Sequence, residues 1–208
     1  MDRRQSRKTI AMATGIQDLD TMPPAHLDPD AAKFYEVVDG QVVENPPMGA
    51  RQSILASYLL LRIGQIASSN RLGWAVNETL FLIDPARKLK RRPDVAFVSA
   101  ERWSLRQEVP DTETWDVVPD LTVEVISESN SANAVARKLE EYFQAGVQKV
   151  WVIYPSTSKI YVYDSPTRVR ILQVGDELEG EGVIPGFHVP LSVLFEPKAE
   201  PEASHQTE

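Results

Sequence analysis

Apolar residues recur along this chain in two rhythms, every second position and every third to fourth, and the switches between them mark out its elements. "FYEVVDGQVVEN" carries two β-rich runs on either side of Asp39-Gly40, a pair suited to a tight hairpin turn. From about Ala50 to Ser69, the residues Ile54, Leu55, Tyr58, Leu59, Leu61, Ile63 and Ile66 repeat at helical spacing, so a long helix is expected to pack on a sheet there. "WAVNETLFLID", "PDVAFVS" and "LTVEVIS" then alternate as three strands, the first two separated by a basic loop. "SNSANAVARKLEEYFQAGV" reads as a second helix, with capping residues Ser129, Asn130 and Ser131, an apolar stripe of Val135, Leu139, Tyr142 and Phe143, and a stop at Gly146. "KVWVIYP", "SKIYVYDS" and "RVRILQV" follow as short strands, the first a helix-to-strand crossover and the others a meander, and "GVIPGFHVPLSVLF" is the last strand-like piece. The predicted fold class is α/β: a sandwich with a mixed central sheet flanked by helices, an N-terminal hairpin and a C-terminal β meander.

Composition narrows what this sandwich can do. The 208 residues, 42% hydrophobic and 25% charged, suit one globular domain, expected over residues 23–195. Residues 1–22 and the Pro, Glu and Ala rich residues 196–208 read as disordered tails, and the basic start as tail rather than secretory leader. The longest apolar stretch is broken by Arg62 and Gln65, so no membrane helix is expected. There are no cysteines, which excludes disulfides, thiolate nucleophiles and zinc-thiolate sites and is compatible with a cytoplasmic location. No glycine-rich phosphate loop, G-x-S-x-G elbow or dinucleotide fingerprint occurs. The net charge of −8 argues against coating nucleic acid through the overall field, but "RKLKRR", residues 87–92, sets five basic residues in six positions where backbone phosphates could be met.

Candidate chemistry rests on carboxylates, because His26, His188 and His205 are too scattered for a metal cluster or a triad. Glu124 interrupts the apolar strand "LTVEVIS", and burying it unpaired would cost several kcal/mol. Asp94 opens "PDVAFVS", sharing a strand face with Ala96 and Val98, as Glu124 does with Thr122 and Ile126. If the two strands are neighbours, the two acids converge, and with waters and the Val125 carbonyl they offer the oxygen ligands that Mg²⁺ prefers, with Mn²⁺ as an alternative. Lys138, on the following helix, flanks the face that packs toward the sheet and is placed to orient or deprotonate an attacking water, or to stabilise developing negative charge. Asp120, the other Pro-Asp, reads as a turn or strand cap.

The order "RRPDVAFVS", "VPDLTVEVISES", "RKLEEYFQAGVQKVWVIYP" and "IYVY", with "FYEVVDGQVVENPP" ahead of it, resembles the Uma2-type restriction endonucleases, a family of the PD-(D/E)XK nuclease superfamily, over roughly residues 30–195. The resemblance implies a restriction-endonuclease-like sandwich and a DNA substrate, with Asp94 and Glu124 as the metal-binding acids and hydrolysis leaving a 5′-phosphate. The superfamily usually keeps a lysine two residues after the strand acid, where this chain has Ile126; Uma2-like sequences carry one on the next helix, which Lys138 matches. Similar proteins often have a histidine near the start of the first helix, and here Arg51 and Gln52 stand in that stretch. Glu44 and Glu78 are further candidate carboxylates.

Two functions are consistent with these residues. One is a Mg²⁺-dependent DNA endonuclease with Asp94, Glu124 and Lys138 as its site, and Arg87, Lys88, Lys90, Arg91 and Arg92 on the DNA backbone. The other is an inactive nuclease-fold module that binds nucleic acid or a protein partner. Cutting both strands of a duplex favours a homodimer, with the unpaired strands of the terminal meander as its interface.

Overall fold

The computed structural model describes residues 34–128 and 130–195; both expected tails, residues 23–33 and Ser129 lie outside them. The hairpin forms as its turn requires: β1 (Tyr35–Val38) pairs antiparallel with β2 (Gln41–Glu44), and Asp39 and Gly40 take φ of 51° and 76°, the left-handed pair of a two-residue turn. Helix α1 (Ala50–Ser69) buries Leu55, Leu59 and Ile63 at the predicted spacing.

The next segment departs from the sequence reading. "WAVNETLFLID" is two strands rather than one, β3 (Gly73–Asn77) and β4 (Leu80–Asp84), and they belong to different sheets. Glu78 breaks them apart in a left-handed turn with φ 46°, a conformation that apolar periodicity does not register. The basic run is also not simply a loop, since Leu89–Arg91 form strand β5, paired with β4 and with β1. Strands β6 (Val95–Ser99), β7 (Thr114–Trp115) and β8 (Leu121–Val125) follow, then α2 (Ala132–Ala145), whose Ser131 side chain accepts a hydrogen bond from the Ala134 N–H at 3.2 Å and whose end is marked by Gly146 at φ 101°. Strands β9 (Lys149–Tyr154), β10 (Lys159–Ser165) and β11 (Arg168–Gln173) form the expected crossover and meander. The final strand-like piece holds strand β13 (His188–Pro190), paired with β12 (Glu177–Glu179), but its end is the short helix α3 (Leu191–Phe195).

A six-stranded mixed sheet, in the order β11-β10-β9-β8-β6-β3, forms the centre, and α2 links its one parallel pair, β8 and β9. Alternation along its strands sends Val95, Phe97, Val123, Val125 and Trp151 to a core under α1. Ala96, Val98, Val150 and Val152 go to a second core, shared with Leu139 and Tyr142 of α2 and with Phe81 and Leu89 of the five-stranded sheet β2-β1-β5-β4-β7. Asp120 acts as the expected cap: its carboxylate accepts from the Ser99 N–H at 2.7 Å and from the Gln148 amide at 2.6 Å, tying the start of β8 to its surroundings. Among the described residues no helix is long and apolar enough to cross a membrane.

Candidate active site

Register decides which residues meet. Strands β6 and β8 are antiparallel with Val95 opposite Val123, so Asp94, one residue before the ladder, falls opposite Glu124 on the α2 side of the sheet. Glu124 is no edge acid, because β8 lies between β6 and β9 and the side chain is only 13% exposed. Both of its oxygens are held from α2: Tyr142 Oη donates to Oε1 at 2.7 Å and Lys138 Nζ to Oε2 at 2.8 Å. Lysine and tyrosine stand four residues apart, one above the other on a single helix face. Asp94 Oδ2 accepts the Val125 N–H at 2.5 Å, which fixes it at the end of β8. A cavity of about 260 Å³ opens on Asp94, Glu124, Val125 and Lys138, with Gln52 and Arg92 on its wall.

One partner escaped the sequence reading. Glu36 of β1, its side chain 4% exposed, lies 2.9 Å from Lys138 Nζ and accepts from Arg91 Nη1 at 2.6 Å and the Arg92 N–H at 2.9 Å. Arg91 in turn reaches Glu141 through Nε at 2.8 Å and through Nη2. The buried polar chain therefore runs Arg91, Glu36, Lys138, Glu124, Tyr142. Glu36 carried the same signal as Glu124, a carboxylate inside an apolar strand, but the hairpin accounted for its segment. The apolar stripe of α2 accounts for the Tyr142 ring but not for its hydroxyl, which reaches Glu124.

The other candidates separate. Glu78 lies beside Asp94, its backbone N–H donating to the Asp94 carbonyl at 3.3 Å, and its charge helps to raise the Asp94 pKa; Glu44 is exposed on β2. Arg87 pairs with Asp39 at 2.9 Å, Lys88 is exposed in a turn, and Lys90 donates to Thr114 Oγ1 at 3.1 Å. Arg91 is buried in the ion-pair chain, and Arg92 donates to the Glu78 carbonyl at 2.6 Å and the Tyr35 carbonyl at 3.1 Å. His188 is exposed beside Glu177, while His26 and His205 lie outside the described residues. Among the described residues no group of three or more His, Asp or Glu side chains is arranged to hold a metal.

The model of the Uma2 family, described as "Putative restriction endonuclease", matches residues 16–193. The chain belongs to this family. The fold is also that of a solved structure described as a putative nuclease belonging to DUF820 from Anabaena variabilis, with TM-score 0.68 and 19% sequence identity, covering 77% of this chain and 89% of that one. No curated protein matches the chain. In this Uma2 protein Ile126 lines the cavity, and the ammonium beside Glu124 comes from Lys138 of α2.

Charge is unevenly balanced in the Uma2 site. Burial pushes the Glu124 carboxyl up to about 7, with Asp94 and Glu36 adding to the rise and Lys138 opposing it. Asp94 is raised chiefly by burial as well. Burial alone would lower Lys138, but Glu124 and Glu36 outweigh it and hold the ammonium well above its ordinary value. Four carboxylates, Glu36, Asp94, Glu124 and Glu141, thus face two buried cations, Lys138 and Arg91, with Arg87 at the rim 3.7 Å from Glu141. Of these four carboxylates, Asp94 and Glu124 line the cavity over the site, and oxygen is the ligand type that hard divalent cations take.

A testable pH dependence follows. A carboxyl whose folded pKa, about 7, exceeds its free value of 4.5 favours the fold while protonated; that contribution is complete below about 4.5 and lost as pH rises through about 7. In calorimetric melts of the metal-free protein, stability relative to Glu124→Gln should fall between pH 4.5 and 7 and then level off. Parallel profiles for the two proteins across that window would mean that Glu124 titrates as an ordinary carboxylate.

Proposed function

We propose that this chain is a divalent-cation-dependent endodeoxyribonuclease acting at Asp94, Glu124 and Lys138. The observation that carries the proposal is the pair of part-buried carboxylates opposite each other across β6 and β8, with an ammonium 2.8 Å from one of them. Asp94 and Glu124, with the Val125 carbonyl, would hold Mg²⁺ or Mn²⁺, which supplies Lewis acidity toward the phosphodiester and lowers the pKa of a bound water. Lys138 stays charged, so it serves as a donor that orients the attacking water and offsets negative charge building on the phosphoryl oxygens, not as a base. Tyr142 and the Val125 N–H hold the two carboxylates in place, which keeps the reacting groups in register. Arg87, Lys88 and Lys90 line the outer part of the basic run and are assigned to backbone phosphates, while Arg91 and Arg92 hold the scaffold from within. The resemblance to the superfamily supports a 5′-phosphate product. For cleavage of both strands we assign a twofold contact to β11, one of the two edge strands of the central sheet, where Val169 and Ile171 are 40% and 51% exposed.

A second reading has its own support. The Lys138 ammonium is already shared by two carboxylates and position 126 is apolar, as expected of a nuclease fold that binds DNA without cutting it. Plasmid nicking separates the two. The nuclease converts supercoiled DNA to nicked and linear forms with Mg²⁺ or Mn²⁺, stops with EDTA, and loses at least about 10²-fold in rate as Asp94→Ala. DNA binding with no cation-dependent cleavage would leave the second reading alone.

A further inference from the structure

A second cavity adjoins the candidate active site on the far side of Lys138. It measures about 160 Å³, and Glu124, Lys138, Ile126, Asn45 and Asn130 line both it and the larger cavity over Asp94. The volume is below the roughly 300–1,000 Å³ of pockets that enclose whole ligands, so it takes a fragment of one. The accessible apolar lining is Val43, Ile126, Ala134 and Val135, while Leu139, Val150 and Val152 belong to the second core beneath it. Such a lining receives a flat ring by van der Waals contact. Its charged lining offers nothing to an anion: Glu36, Arg91 and Lys138 are bound to one another, so a phosphate entering would lose its water without gaining a free cation.

Two asparagines sit where both cavities meet. Asn130 Oδ1 accepts from the N–H and hydroxyl of Ser127, and among the described residues neither its NH₂ group nor the Asn45 side chain makes a hydrogen bond. Asn45 presents a donor and an acceptor side by side, the pattern that pairs with the edge of a nucleobase and matches adenine in particular, and Asn130 adds a donor.

We infer that this cavity is a nucleobase pocket, which holds one unstacked base of the nucleic-acid strand beside the group to be cleaved, with Asn45 and Asn130 on its edge. The identity of the occupant rests on the nuclease reading above; the shape and chemistry of the pocket do not. Withdrawing a base from a stack is easiest where it is unpaired or mismatched, so the pocket would favour single-stranded or distorted DNA over a perfect duplex.

The test uses the full chain and two probes, 2′-deoxyadenosine 5′-monophosphate and inorganic phosphate, followed by methyl NMR. The nucleotide should shift the methyl signals of Val43, Ile126 and Val135 in a saturable manner, phosphate should leave them in place, and Ala134→Trp, at the cavity wall on an exposed turn of α2, should weaken the response at least tenfold. No shift with the nucleotide, or the same shift with phosphate alone, would overturn the pocket. Cleavage assays then separate it from the nuclease reading. If wild type cuts DNA and Ala134→Trp cuts it equally well, the pocket is wrong and the nuclease stands; if the nucleotide occupies the cavity but no DNA is cut, the nuclease reading fails and the pocket stands.

Discussion

Lys138→Met destabilises the protein by about 3–5 kcal/mol, the scale on which removal of one partner leaves buried opposite charges uncompensated. Two carboxylates depend on this ammonium, Glu36 at 2.9 Å and Glu124 at 2.8 Å, and both are almost shut off from water at 4% and 13% side-chain exposure. Without it Glu124 is left with the Tyr142 hydroxyl and Glu36 with Arg91 and the Arg92 N–H, so two close carboxylates share too little positive charge and at least one must take up a proton. The loss should therefore shrink at low pH, where protonation costs nothing, and the double variant Lys138→Met/Glu36→Gln should recover part of it because one stranded charge has gone. Urea unfolding at pH 7.5 and pH 5 on the single and double variants measures both effects. A loss below about 1 kcal/mol, as for an exposed ion pair, would show that water already screens the cluster. Full additivity of the two substitutions would show that Glu36 and Lys138 are not coupled.

The same cluster shows what could be read from the residues and what could not. Strand alternation put Asp94 and Glu124 on apolar faces of their own strands, and the helical stripe of α2 put Lys138 beside that face, so three of its members followed from local periodicity. Adjacency of β6 and β8 was needed to join the two acids, and the structure supplies it through the Val95 and Val123 register. The rest of the cluster depends on pairing between segments far apart in the chain. Glu36 reaches Lys138 only because β1 adds to β5, in a sheet that periodicity did not separate from the central one. That failure has a local cause at Asn77-Glu78-Thr79, where one left-handed residue sends apparently continuous alternation into two sheets. The basic run fails for a related reason, since charge density resembles a solvated loop while the apolar Leu89 inside it, fully buried, is what makes it a strand.

Arg91→Met separates scaffold from substrate contact, and its expected effect is as large. Although it belongs to the most basic stretch of the chain, Arg91 is 6% exposed and lies between Glu36 at 2.6 Å and Glu141 at 2.8 Å. A guanidinium held by two buried carboxylates contributes through hydrogen-bond geometry that no apolar side chain of similar size can replace, so the loss should again be about 3–5 kcal/mol. Its effect on DNA should be different in kind. Each phosphate contact contributes about −0.9 to the slope of log affinity against log salt, so Lys88→Ala, at an exposed turn, should flatten the slope by about one unit with little effect on stability. Arg91→Met should leave the slope unchanged while lowering the urea midpoint. Fluorescence anisotropy over a salt series in EDTA, on the folded variants, reads the slope without cleavage. A flattened slope at full stability for Arg91→Met would mean that this arginine swings out to meet phosphate, and that the Arg91, Glu36, Lys138 chain opens when DNA binds.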